Sequence, residues 1–132
     1  MTIIAYSVPL LGLLALVYTA VQAAWVTHQS PGEEKMMAIA HNIAQGATAF
    51  LKAEYRMISY FVVVAGLLLG YLSSLNEHAH WLIVGAFVVG AIFSALAGWI
   101  GMKIATRANV RTAQAARTSL PQAFKVSFTG GT

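Results

Sequence analysis

Residues 2–32, 57–76 and 79–102 contain no aspartate, glutamate, lysine or arginine. Each of these stretches holds an apolar run long enough to cross a bilayer as a helix. That fixes the solvent before anything else is known. The composition agrees, with 58% hydrophobic residues and 9% charged in a chain of 132, against about 25% charged in ordinary soluble domains. The expected fold is all-α: a polytopic transmembrane bundle of three spanning helices with helical extensions on the inner side.

The first span covers residues 3–26. At about 1.5 Å per residue it reaches about 36 Å, more than the roughly 30 Å hydrocarbon core. Pro9 lies about two turns in, where a membrane helix tolerates a kink. Trp25 falls where an aromatic ring suits the headgroup interface. Val21-Gln22-Ala23 faintly resembles a signal-peptidase site, but no basic residue precedes the run and the run is too long for a signal peptide. The second span, 57–75, covers about 28 Å, so its helix is expected to start earlier. Gly66 and Gly70 form a small-xxx-small pair that suits close helix packing, with the lining of an ion path as the rival reading. The third span is 81–102. Gly90, Ser94 and Gly98, with Ala97 and Gly101 beside them, make a small-residue stripe that a tightly packed helix neighbour needs and lipid does not. A lone membrane serine such as Ser94 commonly bonds its own helix backbone and is assigned no chemistry.

The eight basic residues orient the bundle. Lys35, Lys52 and Arg56 lie between spans one and two; Lys103, Arg107, Arg111, Arg117 and Lys125 follow span three. The positive-inside rule places residues 27–56 and 103–132 inside, 76–80 outside and the amino terminus outside. The same clustering makes a nucleic-acid surface a poor reading of the +4 net charge.

Between the spans, Ser30-Pro31-Gly32-Glu33 reads as a helix start, with Ser30 as cap, Pro31 at the first helical position and Glu33 reaching back. Beyond it Met36, Ala40, Ile43, Ala47 and Phe50 fall on one face of an amphipathic helix, and His41, Gln45, Lys52 and Arg56 fall elsewhere. That helix either runs on into span two and projects inward, or lies flat on the membrane. Gly46 weakens it by about 1 kcal/mol against Ala unless a neighbour needs the space. Lys52, Glu54 and Arg56 are too close in sequence for an i,i+4 ion pair. After span three, Lys103, Arg107 and Arg111 repeat every four residues and form a basic face, with Ala105, Ala108, Thr112 and Ala116 nearby. Such a face either draws a polyanion such as a phosphate compound or anchors the chain at phospholipid headgroups. Pro121 closes this helix or opens another at its first turn.

Chemistry-bearing residues are sparse. The chain has no cysteine and no aspartate; its carboxylates are Glu33, Glu34, Glu54 and Glu77. Magnesium sites are built largely from carboxylates, so this is a poor kit for one. His28 and His41 are far apart, and His78 and His80 sit beside Glu77 without helical ligand spacing. Phosphate-loop, CxxC and GxSxG motifs are absent from the sequence.

The polar segments carry a resemblance. Glu34-Lys35-Met36, Ile39-Ala40, Ile43-Ala44-Gln45-Gly46-Ala47, Ala49-Phe50-Leu51 and Glu54-Tyr55-Arg56 resemble the loop and second-helix start of membrane-bound, ion-translocating inorganic pyrophosphatases. Gly98, Gly101-Met102-Lys103-Ile104-Ala105-Thr106, Ala108-Asn109-Val110-Arg111-Thr112-Ala113 and Ala116 resemble the end of that family's third helix. Together the matches cover residues 33–128. The resemblance implies a homodimer with about sixteen helices per subunit, set in a prokaryotic cell membrane, with an outside amino terminus. It also implies hydrolysis of magnesium–pyrophosphate on the cytoplasmic side, coupled to proton or sodium transport.

The family's catalytic apparatus is aspartate-rich and belongs to later helices, so the resemblance carries no catalytic, cofactor-binding or metal residue onto this chain. Gly46, Glu54, Tyr55, Asn109 and Arg111 match scaffold positions, with a supporting electrostatic role the rival for Arg111. Residues 1–132 are therefore expected to be the amino-terminal scaffold of a longer pump, packed against its remaining helices and the lipid bilayer, and inactive alone. The alternatives are a complete three-helix membrane adaptor without enzymatic activity, and a small transporter subunit. The latter wants a membrane-buried charge that the spans lack.

Overall fold

The computed structural model describes residues 2–75 and 81–131; within the first helix, side chains are described at Ser7 and from Pro9 onward. The short outside segment expected at 76–80, with Glu77, His78 and His80, lies outside the described residues. Among the described residues the secondary structure is helical: α1 Thr2–His28, α2 Glu34–Leu75, α3 Leu82–Ala116 and α4 Leu120–Gly131. Pro9 is accommodated inside α1. The inner amphipathic segment and the second span are one helix, since α2 runs for 42 residues without a break. The basic face at Lys103, Arg107 and Arg111 likewise continues the third span in α3. Three helices are long and apolar enough to cross a membrane.

The start of α2 corrects the capping-box expectation. Gly32 has φ 86°, a left-handed conformation that cannot continue into a right-handed helix. Ser30, Pro31 and Gly32 are therefore a turn, in which Ser30 Oγ accepts from the Gly32 N–H at 3.3 Å. The cap is Glu33, whose carbonyl accepts the first helical bond from Met37 N at 3.0 Å. Pro121 opens a new helix: Ser119 caps α4, its carbonyl accepting from Ala123 N at 3.2 Å and its Oγ from Gln122 N at 3.4 Å.

The chain divides into two compact units. The first joins Met1–Ala44 to Lys103–Thr132. Its core sits where the end of α1 meets α4 and the end of α3. Val126, Ala115 and Ala123 form a buried cluster there and Trp25 packs on them, while Val26, the next residue of α1, is fully buried. Burying a valine contributes about 1.5–3 kcal/mol. The Lys125 ammonium lies 5.2 Å from the Trp25 ring centroid, within cation–π range. Gly130 lets α4 approach α3 closely, because a Cβ there would collide with the Ala108 methyl.

The second unit is Gln45–Met102. Here Tyr55 Oη donates to the Ala95 carbonyl at 2.6 Å, tying α2 to α3. Gly98 makes room for that hydroxyl: a Cβ at Gly98 would lie 3.0 Å from it. The other small residues are less engaged than the stripe suggests. Gly70 comes within ordinary contact of Val84, while a Cβ at Gly66, Gly90 or Gly101 would meet nothing within 4 Å. Gly90 and Ser94 instead line an open groove of about 690 Å³. Large apolar side chains along the spans are exposed, among them Leu16 at 69%, Leu67 at 72% and Phe93 at 67%. Only lipid or further helices satisfy such surfaces.

The Tyr55–Ala95 bond and the Gly98 gap predict a coupled pair. Tyr55→Phe should lower stability in detergent by about 0.5–1 kcal/mol. Gly98→Ala should cost more in the wild-type chain than in a Tyr55→Phe background, where the crowding oxygen is gone. A double-mutant cycle measures this, and strict additivity would contradict it.

Candidate functional site

The polar residues converge in the first unit, around Arg111 on α3. An apolar helix ending at His28 leaves its last carbonyls without intrahelical donors. Arg111 supplies them. Its Nε–H donates to Gln29 O at 3.0 Å, and its Nη2 donates to Thr27 O at 3.1 Å. Its Nη1 donates to Arg107 O, one turn back, at 2.9 Å. A cation at a helix C-terminus also meets the negative end of the helix dipole. Burial, and then the neighbouring Arg107 charge, push the Arg111 guanidinium below its ordinary value. An arginine nonetheless stays charged in proteins. The basic face is thus partly structural: Arg111 clamps the end of α1 to α3.

Two further contacts hold the connector between α1 and α2. Glu33 does not fold back on its own helix but pairs with Arg117. Both side chains are more than half exposed, at 66% and 56%, so the pair contributes little. A Cβ on Gly32 would fall within 3 Å of the Met36 sulfur and of Gln114 Oε1. The two flexible side chains could shift aside, so it is the left-handed backbone angle that calls for glycine there.

The remaining scaffold positions separate. Gly46 is exposed with nothing within 4 Å of a would-be Cβ, so no neighbour in this chain needs its space. Glu54 and Tyr55 line the large groove of the second unit. In the first unit, Met36, Ile39, Ala40 and Ile43 on α2 face Asn109 and Val110 on α3 across an apolar groove of about 300 Å³. That groove sets Met36, Ala40 and Ile43 of the predicted apolar stripe opposite α3, although Ile43 stays 45% and Phe50 59% exposed. His28 is the last residue of α1, and His41 lies in α2. Among the described residues no group of three or more His, Cys, Asp or Glu is placed to hold a metal. Sequence reasoning missed the Arg111 clamp, although an α1 whose only basic C-terminal residue is His28 was a signal that a cation from elsewhere was needed.

Residues 13–132 match the family of inorganic H+ pyrophosphatases. A putative K(+)-stimulated pyrophosphate-energized sodium pump of Clostridium tetani is 41% identical over 128 residues, which is 97% of this chain and 18% of that protein. A K(+)-insensitive pyrophosphate-energized proton pump of Methanosarcina mazei is 41% identical over 126 residues, 96% of this chain and 18% of that protein. The K(+)-stimulated pyrophosphate-energized sodium pump of Thermotoga maritima is 40% identical over 124 residues, 92% of this chain and 16% of that protein. The chain thus spans less than a fifth of the length of these relatives. Membrane pumps among the relatives and three spanning-length apolar helices make this an integral, multi-pass membrane protein.

The clamp predicts an asymmetry between neighbouring arginines. Arg111→Ala should destabilise the chain by about 2 kcal/mol, because two buried-end carbonyls lose charged donors. Arg111→Lys should recover only part, since an ammonium lacks the planar fork. Arg117→Gln should change stability by less than about 0.5 kcal/mol. Thermal unfolding in detergent, followed by tryptophan emission, checks all three; equal losses at Arg111 and Arg117 would contradict the clamp.

Proposed function

Because the chain belongs to the inorganic H+ pyrophosphatase family, we propose that it serves in a membrane pump that couples pyrophosphate hydrolysis to the movement of protons or sodium ions. The observation that carries this reading is the family match over residues 13–132. Sodium pumps and proton pumps both occur among the relatives at about 40% identity, so the choice of ion stays open between them. In this reading α1, α2 and α3 are outer scaffold helices. Residues 27–56 and 103–132 face the cytoplasm, 76–80 and the amino terminus face outside, and the assembly is a homodimer in a prokaryotic cell membrane. The basic-residue count supports that orientation. The unbroken α2 supports an inward projection rather than a helix lying flat.

Magnesium accompanies pyrophosphate as substrate in this proposal, but the residues of this chain do not fit a magnesium site. The described carboxylates are Glu33, Glu34 and Glu54; Glu33 is paired with Arg117, and no acidic cluster is formed. No hydrolytic step is therefore assigned to these residues. Their part is mechanical: Arg111 and the Trp25–Ala123–Val126 core fix the inner ends of the helices, and the Tyr55–Ala95 bond fixes the α2–α3 pair.

Inside-out membrane vesicles from cells expressing the gene that encodes this chain test the proposal. Magnesium pyrophosphate should drive acidification or sodium uptake, and deleting the codons for residues 1–132 should abolish it. Purified residues 1–132 alone should release no phosphate above background. A gradient that survives the deletion, or hydrolysis by the isolated chain, would overturn this assignment.

A further inference from the structure

A second groove in the first unit is unlike the apolar one. It has a volume of about 240 Å³ and is lined by Pro31, Met37, His41, Thr106, Arg107 and Arg111 among others, with no carboxylate in its wall. We propose that this groove binds a phosphoryl anion, either the phosphate of a membrane phospholipid headgroup or a free phosphate. The site requires only a membrane protein and is independent of the pump reading.

Three features carry it. Arg107 and Arg111 stand one turn apart, where like charges repel. Arg107 is exposed and has no carboxylate partner among the described residues. An anion between the two guanidiniums relieves this repulsion. Second, Arg111 is already held in place by three carbonyls, so recruiting it costs little further ordering. A guanidinium has five N–H donors, and these bonds leave two Nη hydrogens for an acceptor. Third, Arg107 lies five residues beyond Met102, about 7.5 Å of helix past the apolar end of span three. The headgroup layer on each side of the hydrocarbon is about that thick. The volume exceeds the roughly 30 Å³ share of one water several-fold, enough for a phosphoryl group.

Native mass spectrometry of the intact chain in detergent tests the site, with phosphatidylglycerol titrated in one arm and inorganic phosphate in the other. One ligand per chain is expected. Arg107→Gln should weaken it about tenfold, the effect of losing one charged hydrogen-bonding partner. Lys103→Gln, the same charge change one turn away and outside the groove, should weaken it less than about twofold. Tryptophan emission checks that each variant folds. Binding in the phosphatidylglycerol arm alone assigns the site to a lipid headgroup; binding in the phosphate arm with the same Arg107 dependence assigns it to a free anion. Both results support the proposal. Binding in neither arm, or an equal loss from Lys103→Gln, would overturn it.

Discussion

An uncharged helix can bond its own backbone but cannot hide its own side chains. That constraint governs this chain. The three long helices leave most of their large apolar residues exposed, and the buried hydrophobic residues among those described are Val26, Leu51, Ala108, Ala115, Ala123 and Val126. Most of that apolar surface is left for lipid and neighbouring helices to cover. The fold is therefore specified mainly at a few polar or close-packed points, and these points are where the sequence departs from plain apolar helix.

The two units use different devices to the same end. In the first, a guanidinium reaches the carbonyls at the end of α1, and α4 covers the Trp25–Val26 edge. In the second, a tyrosine hydroxyl bonds a backbone carbonyl across a glycine gap. Both devices are side-chain hydrogen bonds to a backbone carbonyl of another helix, and both need little surrounding core. This suits helices whose main work is to stand in a membrane and present faces to neighbours. It also fits the proposed scaffold role, which needs anchors and gaps rather than acids and bases.

Much of this was legible in the sequence, for local reasons. Absence of charge marked the spans, the four-residue repeat of Lys103, Arg107 and Arg111 marked the continuation of α3, and Met36, Ala40 and Ile43 marked the face that α2 turns toward α3. What escaped was decided by backbone angle or distant contact. Ser30-Pro31-Gly32 carries a plausible cap signature, and only the positive φ at Gly32 turns it into a bend. Arg111 looked like part of a charged surface because its carbonyl partners lie more than eighty positions away. Gly66, Gly90 and Gly101 read as helix-packing positions, and within this chain a Cβ at any of them would meet nothing within 4 Å. The polar segments also carried the family, because their matches are specific where apolar helices are not.

The central claim is an oriented three-span bundle with both basic extensions on one side. The chain has no cysteine, so single-cysteine variants report one position each. Ser30→Cys, His78→Cys and Thr118→Cys should be compared in intact spheroplasts with a membrane-impermeant maleimide. Position 78 alone should be labelled, with 30 and 118 labelled only after the membrane is opened. Labelling of 30 or 118 in intact spheroplasts, or protection of 78, would contradict it.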